Sequence, residues 1–186
     1  GGAQSRGGRP ADLGRRPVPA HGLGAGEGGP SRRSDPGEPL QSDRQPDGSS
    51  KSNRFRGLVG YTTKVWSENY GEIELAIDQR HANSLGIVHG GVFATLLDAA
   101  MGHAVGWCRV PGNVRSAVTI SLTTTFLAQA NAGTLTARGR VVGVSGRIAT
   151  VSGEIVDAAG TVCATGQGSF MYLSGSEHPD GVPRRT

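Results

Sequence analysis

Apolar and polar residues alternate with period two through most of the chain beyond residue 58, and one long stretch breaks that rhythm. Residues 59–68 (VGYTTKVWSE) and 72–77 (EIELAI) read as two strands, with Asn69-Tyr70-Gly71 as the turn between them. Residues 80–90 (RHANSLGIVHG) are too polar and too glycine-broken for regular structure and read as a loop. Residues 91–107 (GVFATLLDAAMGHAVGW) hold 11 apolar residues, three glycines and only Thr95, Asp98 and His103 as polar positions. A helix that is apolar nearly all round is a buried helix, and ~17 residues span about 25 Å. After Pro111-Gly112-Asn113 the chain turns β-rich: residues 116–127, 133–144, 147–157 and 161–173 read as strands. The short breaks at 145–146 and 158–160 specify antiparallel neighbours. In 116–127, Val118, Ile120, Leu122 and Thr124 would share one face, and Thr119, Ser121, Thr123 and Thr125 the other. Two strands, a long buried helix and four strands predict an α+β domain, an antiparallel sheet wrapped around one central helix.

Composition separates this domain from what precedes it. Residues 1–50 contain 12 Gly, 7 Pro and no aromatic residue, too little apolar surface to offset the entropy of ordering a backbone. The expected organisation is therefore a disordered extension over 1–52, a domain over 53–174 and a flexible tail over 175–186. The chain is formally +4, yet residues 57–174 hold seven basic and seven acidic side chains, so the domain is neutral. The basic surplus lies in the extension and flanks, and no nucleic-acid partner is expected. No apolar run approaches the ~20 residues that span a bilayer, and the first residues show no charged start followed by an apolar segment, so neither a membrane nor a secretory route is expected. Cys108 and Cys163 have no metal-ligand or redox spacing; they read as small buried hydrophobes in a reducing, cytoplasmic setting, with no metal and no cofactor expected.

Asp98 is the residue that points to chemistry. A carboxylate flanked by Leu96, Leu97, Ala99 and Ala100 is costly to leave without a partner. At 100° per residue it shares a stripe with Gly91, Thr95 and Gly102, on the side of the helix start. Just before that start stands His89-Gly90-Gly91. Glycines at a helix amino terminus let a ligand approach N–H groups that lack intrahelical acceptors, and such donors stabilise a carbonyl oxygen as it becomes an oxyanion. Oxyanion donors with an acid/base carboxylate suggest acyl transfer or enolate chemistry.

The run HANSLGIVHGG over residues 81–91, continued by LDAAMG over 97–102, resembles the signature of hotdog-fold acyl-CoA thioesterases of the PaaI and 4-hydroxybenzoyl-CoA thioesterase type. The likeness extends over roughly residues 57–174, strand order included. It implies a hotdog fold, a sheet around one helix, that pairs into homodimers and usually homotetramers with active sites at the dimer interface. It implies hydrolysis of an aryl- or medium-chain acyl-CoA to free acid and CoA, the CoA being part of the substrate. Gly90 would donate its N–H to the thioester carbonyl, with the Gly91 N–H assisting. Asn83 and His89 would hold the loop and orient the thioester or water. Asp98, supplied by the partner subunit, would act as general base or as nucleophile. Thr119, with Ser121 next, matches a hydroxyl near the start of the third strand, and Arg147 and Arg140 match positions near the CoA phosphates. Gly86, Gly90, Gly91 and Gly102 lie where a thioester approaches the helix; most of the other glycines read as turns or tail. Phe93, Leu97, Met101, Trp66 and Phe126 are candidates to line the acyl pocket.

Each residue also has a plainer role open to it. Asp98 could be a buried carboxylate bonded to Thr95 or to backbone, Asn83 a turn residue bonding its own backbone, and Arg147 a solvated hairpin charge. Two other activities suit the same fold, an enoyl-CoA hydratase or dehydratase and a non-catalytic acyl-CoA sensor.

Overall fold

A computed structural model describes residues 54–184 of the chain. The reading of residues 1–52 as a disordered extension lies outside the described residues. A short helix, α1 (Arg54–Val59), opens the described chain where the strand was expected to begin at Val59. Gly60 ends it with a φ of 92°, a left-handed conformation that glycine adopts without strain. Strands β1 (Thr62–Ser67) and β2 (Tyr70–Ala76) then form a hairpin. Its tight turn sits one residue earlier than expected, at Glu68 and Asn69, because Asn69 takes the left-handed φ of 58°.

The buried helix appears as α2 (Gly90–Gly106), and β3 (Asn113–Val114), β4 (Ala117–Phe126), β5 (Thr134–Ser145), β6 (Ile148–Val156), β7 (Val162–Tyr172) and β8 (Val182–Pro183) follow. Six strands form one antiparallel sheet in the order β1-β2-β5-β6-β7-β4, with α2 packed across one face. Leu96, Leu97, Ala100, Met101 and Val105 of the helix are fully buried against Ile73, Leu75, Leu135, Val151 and Ile155 of the sheet. No helix among the described residues is long and apolar enough to cross a membrane.

A row of glycines lets the helix settle this deeply. Gly71, Gly139, Gly153 and Gly166 stand directly opposite one another on β2, β5, β6 and β7. A Cβ on Gly139 would lie 2.6 Å from the Ala100 carbonyl and from the Met101 Cα, and one on Gly71 would lie 2.6 Å from the Ala100 oxygen. These glycines are neither turns nor tail, and Gly71, expected in the turn of the first hairpin, lies in β2. They form a trough whose floor is backbone.

Two further expectations are corrected. The alternation in β4 is interrupted by a bulge between Thr119 and Ser121, with Ile120 as the extra residue. Val118 and Ile120 are consequently exposed, 45% and 53%, while Thr119 points toward the helix. Residues 175–184 are not a free tail. Asn113 and Val114 pair with Pro183 and Val182, and the buried Arg115 donates to the carbonyls of Ser176 and Glu177 while its guanidinium stacks 4.1 Å over the Tyr172 ring. A guanidinium with several donors is suited to gathering carbonyls that no strand serves.

Candidate active site

The loop before α2 is shaped by its own polar groups. Asn83 Oδ1 accepts the Leu85 N–H at 2.8 Å and the Ile87 N–H at 3.4 Å, while the Asn83 N–H donates to the Ile87 carbonyl. Gly86 closes this turn with a φ of 75° and faces open space. Asn83 thus bonds its own backbone, and Gly86 serves the turn.

His89 is the N-cap of α2, and its Nδ1 accepts the Gly91 N–H at 2.9 Å. The Gly91 donor is therefore engaged, and the expected assistance from Gly91 at a carbonyl oxygen is corrected on that ground. Gly90 occupies the first helical position, whose N–H has no intrahelical acceptor. The Phe126 ring lies 3.4 Å from where a Gly90 Cβ would stand, and Phe126 in turn contacts the Phe93 ring at a 6.2 Å centroid distance. One backbone donor at the positive end of a helix, walled on one side by an aromatic face, is a place for a carbonyl or carboxylate oxygen.

Asp98 lies eight residues further along α2. The hydroxyl of Thr119 donates to its Oδ1 at 2.7 Å, so its partner comes from β4, not from Thr95. The bulge at Ile120 makes this contact: it turns Thr119 inward and sends Ser121 outward, opposite Ser169. Thr119 and Ser121 therefore lie on opposite faces, where unbroken alternation would put them together, and Ser121 is removed from the helix side. A hydroxyl donating to a carboxylate fixes its orientation.

The remaining candidates scatter. Arg147 Nε and Nη2 both donate to the Tyr172 carbonyl, at 3.0 and 2.7 Å, which makes it a hairpin tie. Arg140 stacks 4.4 Å over Tyr70 on the sheet face away from α2, beside a shallow cleft of about 510 Å³ lined by Arg138, Glu154, Thr123 and Gln167. Leu97 and Met101 are fully buried under the sheet and line no open pocket. Trp66 belongs to the far end of α2, where its Nε1 donates to the His103 carbonyl. His81, buried in the loop, was given no role by sequence reasoning; its place at the head of the HANSLGIVHGG run was the available signal.

Comparison with known proteins shows what this arrangement is similar to. Residues 85–164 match the Thioesterase superfamily. Among curated proteins, "Putative esterase PA0474" of Pseudomonas aeruginosa is 36% identical over 61 residues, 33% of this chain and 44% of that protein. The chain thus matches less than half the length of that relative. Among solved structures, the PaaI protein of Escherichia coli, from the phenylacetic acid degradation operon, is 22% identical with a TM-score of 0.59 over 66% of this chain and 86% of that one. A variant of the phenylacetic acid degradation protein PaaI of Thermus thermophilus is 26% identical with a TM-score of 0.57, over 64% and 98% of the two chains. Thioesterase HI1161 of Haemophilus influenzae is 20% identical with a TM-score of 0.59, over 66% and 84%. Residues 85–164 are thus similar to the thioesterase superfamily, and the described residues have the hotdog fold of the solved structures they resemble.

Proposed function

We propose that the chain is a thioester hydrolase acting on an aryl- or medium-chain acyl-CoA, with the Gly90 N–H polarising the thioester carbonyl and Asp98 as general base or nucleophile. The observation that carries this reading is the half-buried Asp98 held by Thr119 on the same helix whose start offers the Gly90 N–H. A base must be aimed, and the Thr119 hydroxyl holds Asp98 in one orientation. The distance between the two groups matters as well. Eight residues of helix separate them by about 12 Å along the axis, too far for one carbonyl and one attacking water to reach both.

Two copies of the chain resolve that distance. If α2 of a second copy runs antiparallel to the first, Gly90 of one chain faces Asp98 of the other, and a dimer has two such sites. Among the described residues, the edge strand β4 leaves one side of its ten-residue ladder open and carries Thr119, which supports its use by a second copy. The proposed enzyme is thus a homodimer, or a homotetramer built from dimers, in the cytoplasm. In the reaction the carbonyl oxygen gains negative charge against the Gly90 N–H. Asp98 either takes a proton from water as the water oxygen bonds to the carbonyl carbon, or attacks that carbon itself to give a mixed anhydride that water then hydrolyses to free acid; on either route the C–S bond breaks and the CoA thiolate leaves to be protonated.

The test uses two variants of the full chain. Asp98→Asn keeps the Thr119 hydroxyl a partner and the fold intact, and is expected to lower acyl-CoA hydrolysis by on the order of 10³-fold. Gly90→Pro removes the other group. Co-expressed, the two inactive chains should recover about a quarter of wild-type activity, because half of the dimers are mixed and each mixed dimer has one complete site. Near-wild-type hydrolysis by Asp98→Asn alone would end the assignment, and no recovery on mixing would end the shared site.

A further inference from the structure

The HANSLGIVHGG run begins at His81, and the thioester reading leaves that residue unused. His81 is 3% exposed. Its Nδ1 lies 3.0 Å from the Asp78 N–H, and its Nε2 lies 2.8 Å from the Val59 carbonyl. An amide N–H can only donate and a carbonyl can only accept, so the ring is the neutral Nε2–H tautomer. The Asp78 carboxylate, 3.4 Å away, is then not an ion-pair partner. The ring ties the 3-10 turn Gln79–His81 to the last residue of α1. Arg80 beside it donates through Nη1 to the Leu58 carbonyl at 3.3 Å. Two consecutive side chains take the last two carbonyls of α1, which a helix end leaves unserved.

The backbone of His81 faces the other way. Its carbonyl accepts the His89 N–H at 2.8 Å, and His89 Nδ1 accepts the Gly91 N–H at 2.9 Å. Three hydrogen bonds in series therefore run from α1 to the first turn of α2. We infer that His81 is a positioning residue for the Gly90 N–H: it fixes the start of α2 against α1 and makes α1 part of the support of the site. Buried in the loop, it does its work through His89 and not by touching substrate.

Two substitutions in the full chain separate this role from bulk stability. His81→Asn places an amide oxygen near the Nδ1 position, where it still receives the Asp78 N–H, but it is too short to reach Val59. His81→Gln puts an amide N–H at about the reach of Nε2 and keeps the tie to α1. His81→Asn is expected to lower kcat about tenfold, less than outright loss of an oxyanion donor, with KM within about twofold. His81→Gln should recover most of that loss. The inference rests on the proposed thioesterase activity for this kinetic readout only. The Gly91 amide, followed by NMR hydrogen exchange, should exchange about tenfold faster in His81→Asn and return toward wild type in His81→Gln, whether or not the chain turns over thioesters. A folded His81→Asn protein with wild-type Gly91 exchange would overturn the inference. So would parallel losses of kcat, KM and thermal stability that His81→Gln does not rescue, since those describe a core residue only.

Discussion

At its amino terminus α2 begins with Gly90, which leaves room beside the helix, and along its middle it is met by glycines on four neighbouring strands that leave none. A Cβ on Gly90 would come no closer than 3.4 Å to the half-exposed Phe126 ring. Gly71 and Gly139 would drive a Cβ to within 2.6 Å of helix backbone. Omission of a side chain serves ligand approach in the first case and helix burial in the second. The forces differ accordingly. The middle of α2 is held by apolar packing, which has no charge to lose, whereas the loop before it is held by directional contacts among Asp78, Arg80, His81, Asn83 and His89. A rigid rod delivers its first N–H and its mid-helix carboxylate reproducibly only if both arrangements hold.

The largest expected effect lies in the packed region. In Gly139→Ala the new methyl meets backbone that cannot swing aside, so α2 must lift from the trough or the strands must spread. Overpacking of this kind costs about 3 kcal/mol, a fall in melting temperature on the order of 10 °C by calorimetry. No group of the proposed site is removed, so turnover per folded molecule should fall far less than when the Gly90 N–H or the Asp98 carboxylate is lost. A Gly139→Ala protein as stable as wild type would show that the trough is wider than these distances imply.

How much of this was legible in the sequence follows the range of the contacts. α2 was readable to within one residue at each end because its signal is local: a 17-residue apolar stretch with a glycine pair in front. The hairpins were readable for the same reason. α1 was not, since six residues make a marginal helix, and this one is completed by Arg80 and His81 from more than twenty positions away. Nor was the pairing of β3 with β8, two residues each across about seventy of sequence. At the site, Asp98 and Gly90 stood out by residue type against their surroundings. The direction of Thr119 depended on a one-residue bulge that the alternating SAVTISLTTTFL pattern does not mark, and the glycine row depended on strand register, which four separate glycines do not reveal.

The next largest effect lies at the helix start. Gly90→Pro deletes the N–H without disturbing the turn: proline suits the first helical position, and the residue before it, His89, already has the extended φ of −65° and ψ of 138° that a following proline requires. Loss of an oxyanion donor is expected to reduce kcat for acyl-CoA hydrolysis by on the order of 10²-fold. Melting temperature should stay within about 3 °C of wild type. Gly139→Ala and Gly90→Pro thus differ in kind, one costing mainly fold, the other mainly chemistry. A Gly90→Pro enzyme with wild-type kcat would remove the reason for treating the two sets of glycines as different.

The smallest effect tests the claim that the loop is held by titratable contacts and the trough is not. The Arg80 side chain, and after it the Arg80 backbone N–H, holds the Asp78 carboxyl down at about 2, from an ordinary carboxylate value of ~3.9. A carboxyl whose folded pKa is depressed stabilises the folded state above the unfolded pKa, and that contribution is lost as pH falls through the folded one. The window here runs from about pH 4 down to about pH 2. Over that range the hold of Arg80 on Asp78, and with it the seat of His81, should weaken before the trough responds. Asp78→Asn at pH 7 reproduces the loss of charge without acid: the expected result is a shift in the NMR signals of His81, His89 and the Gly91 amide, with those of Met101, Gly139 and Val151 unmoved and melting temperature lowered only slightly. The groups are solvent-exposed, so added salt should shrink the difference between Asp78→Asn and wild type. Equal shifts at Gly91 and Gly139 would mean that the loop and the trough respond as one cooperative unit, and the contrast between the two ends of the argument, polar anchorage at the helix start and steric burial along its middle, would fail.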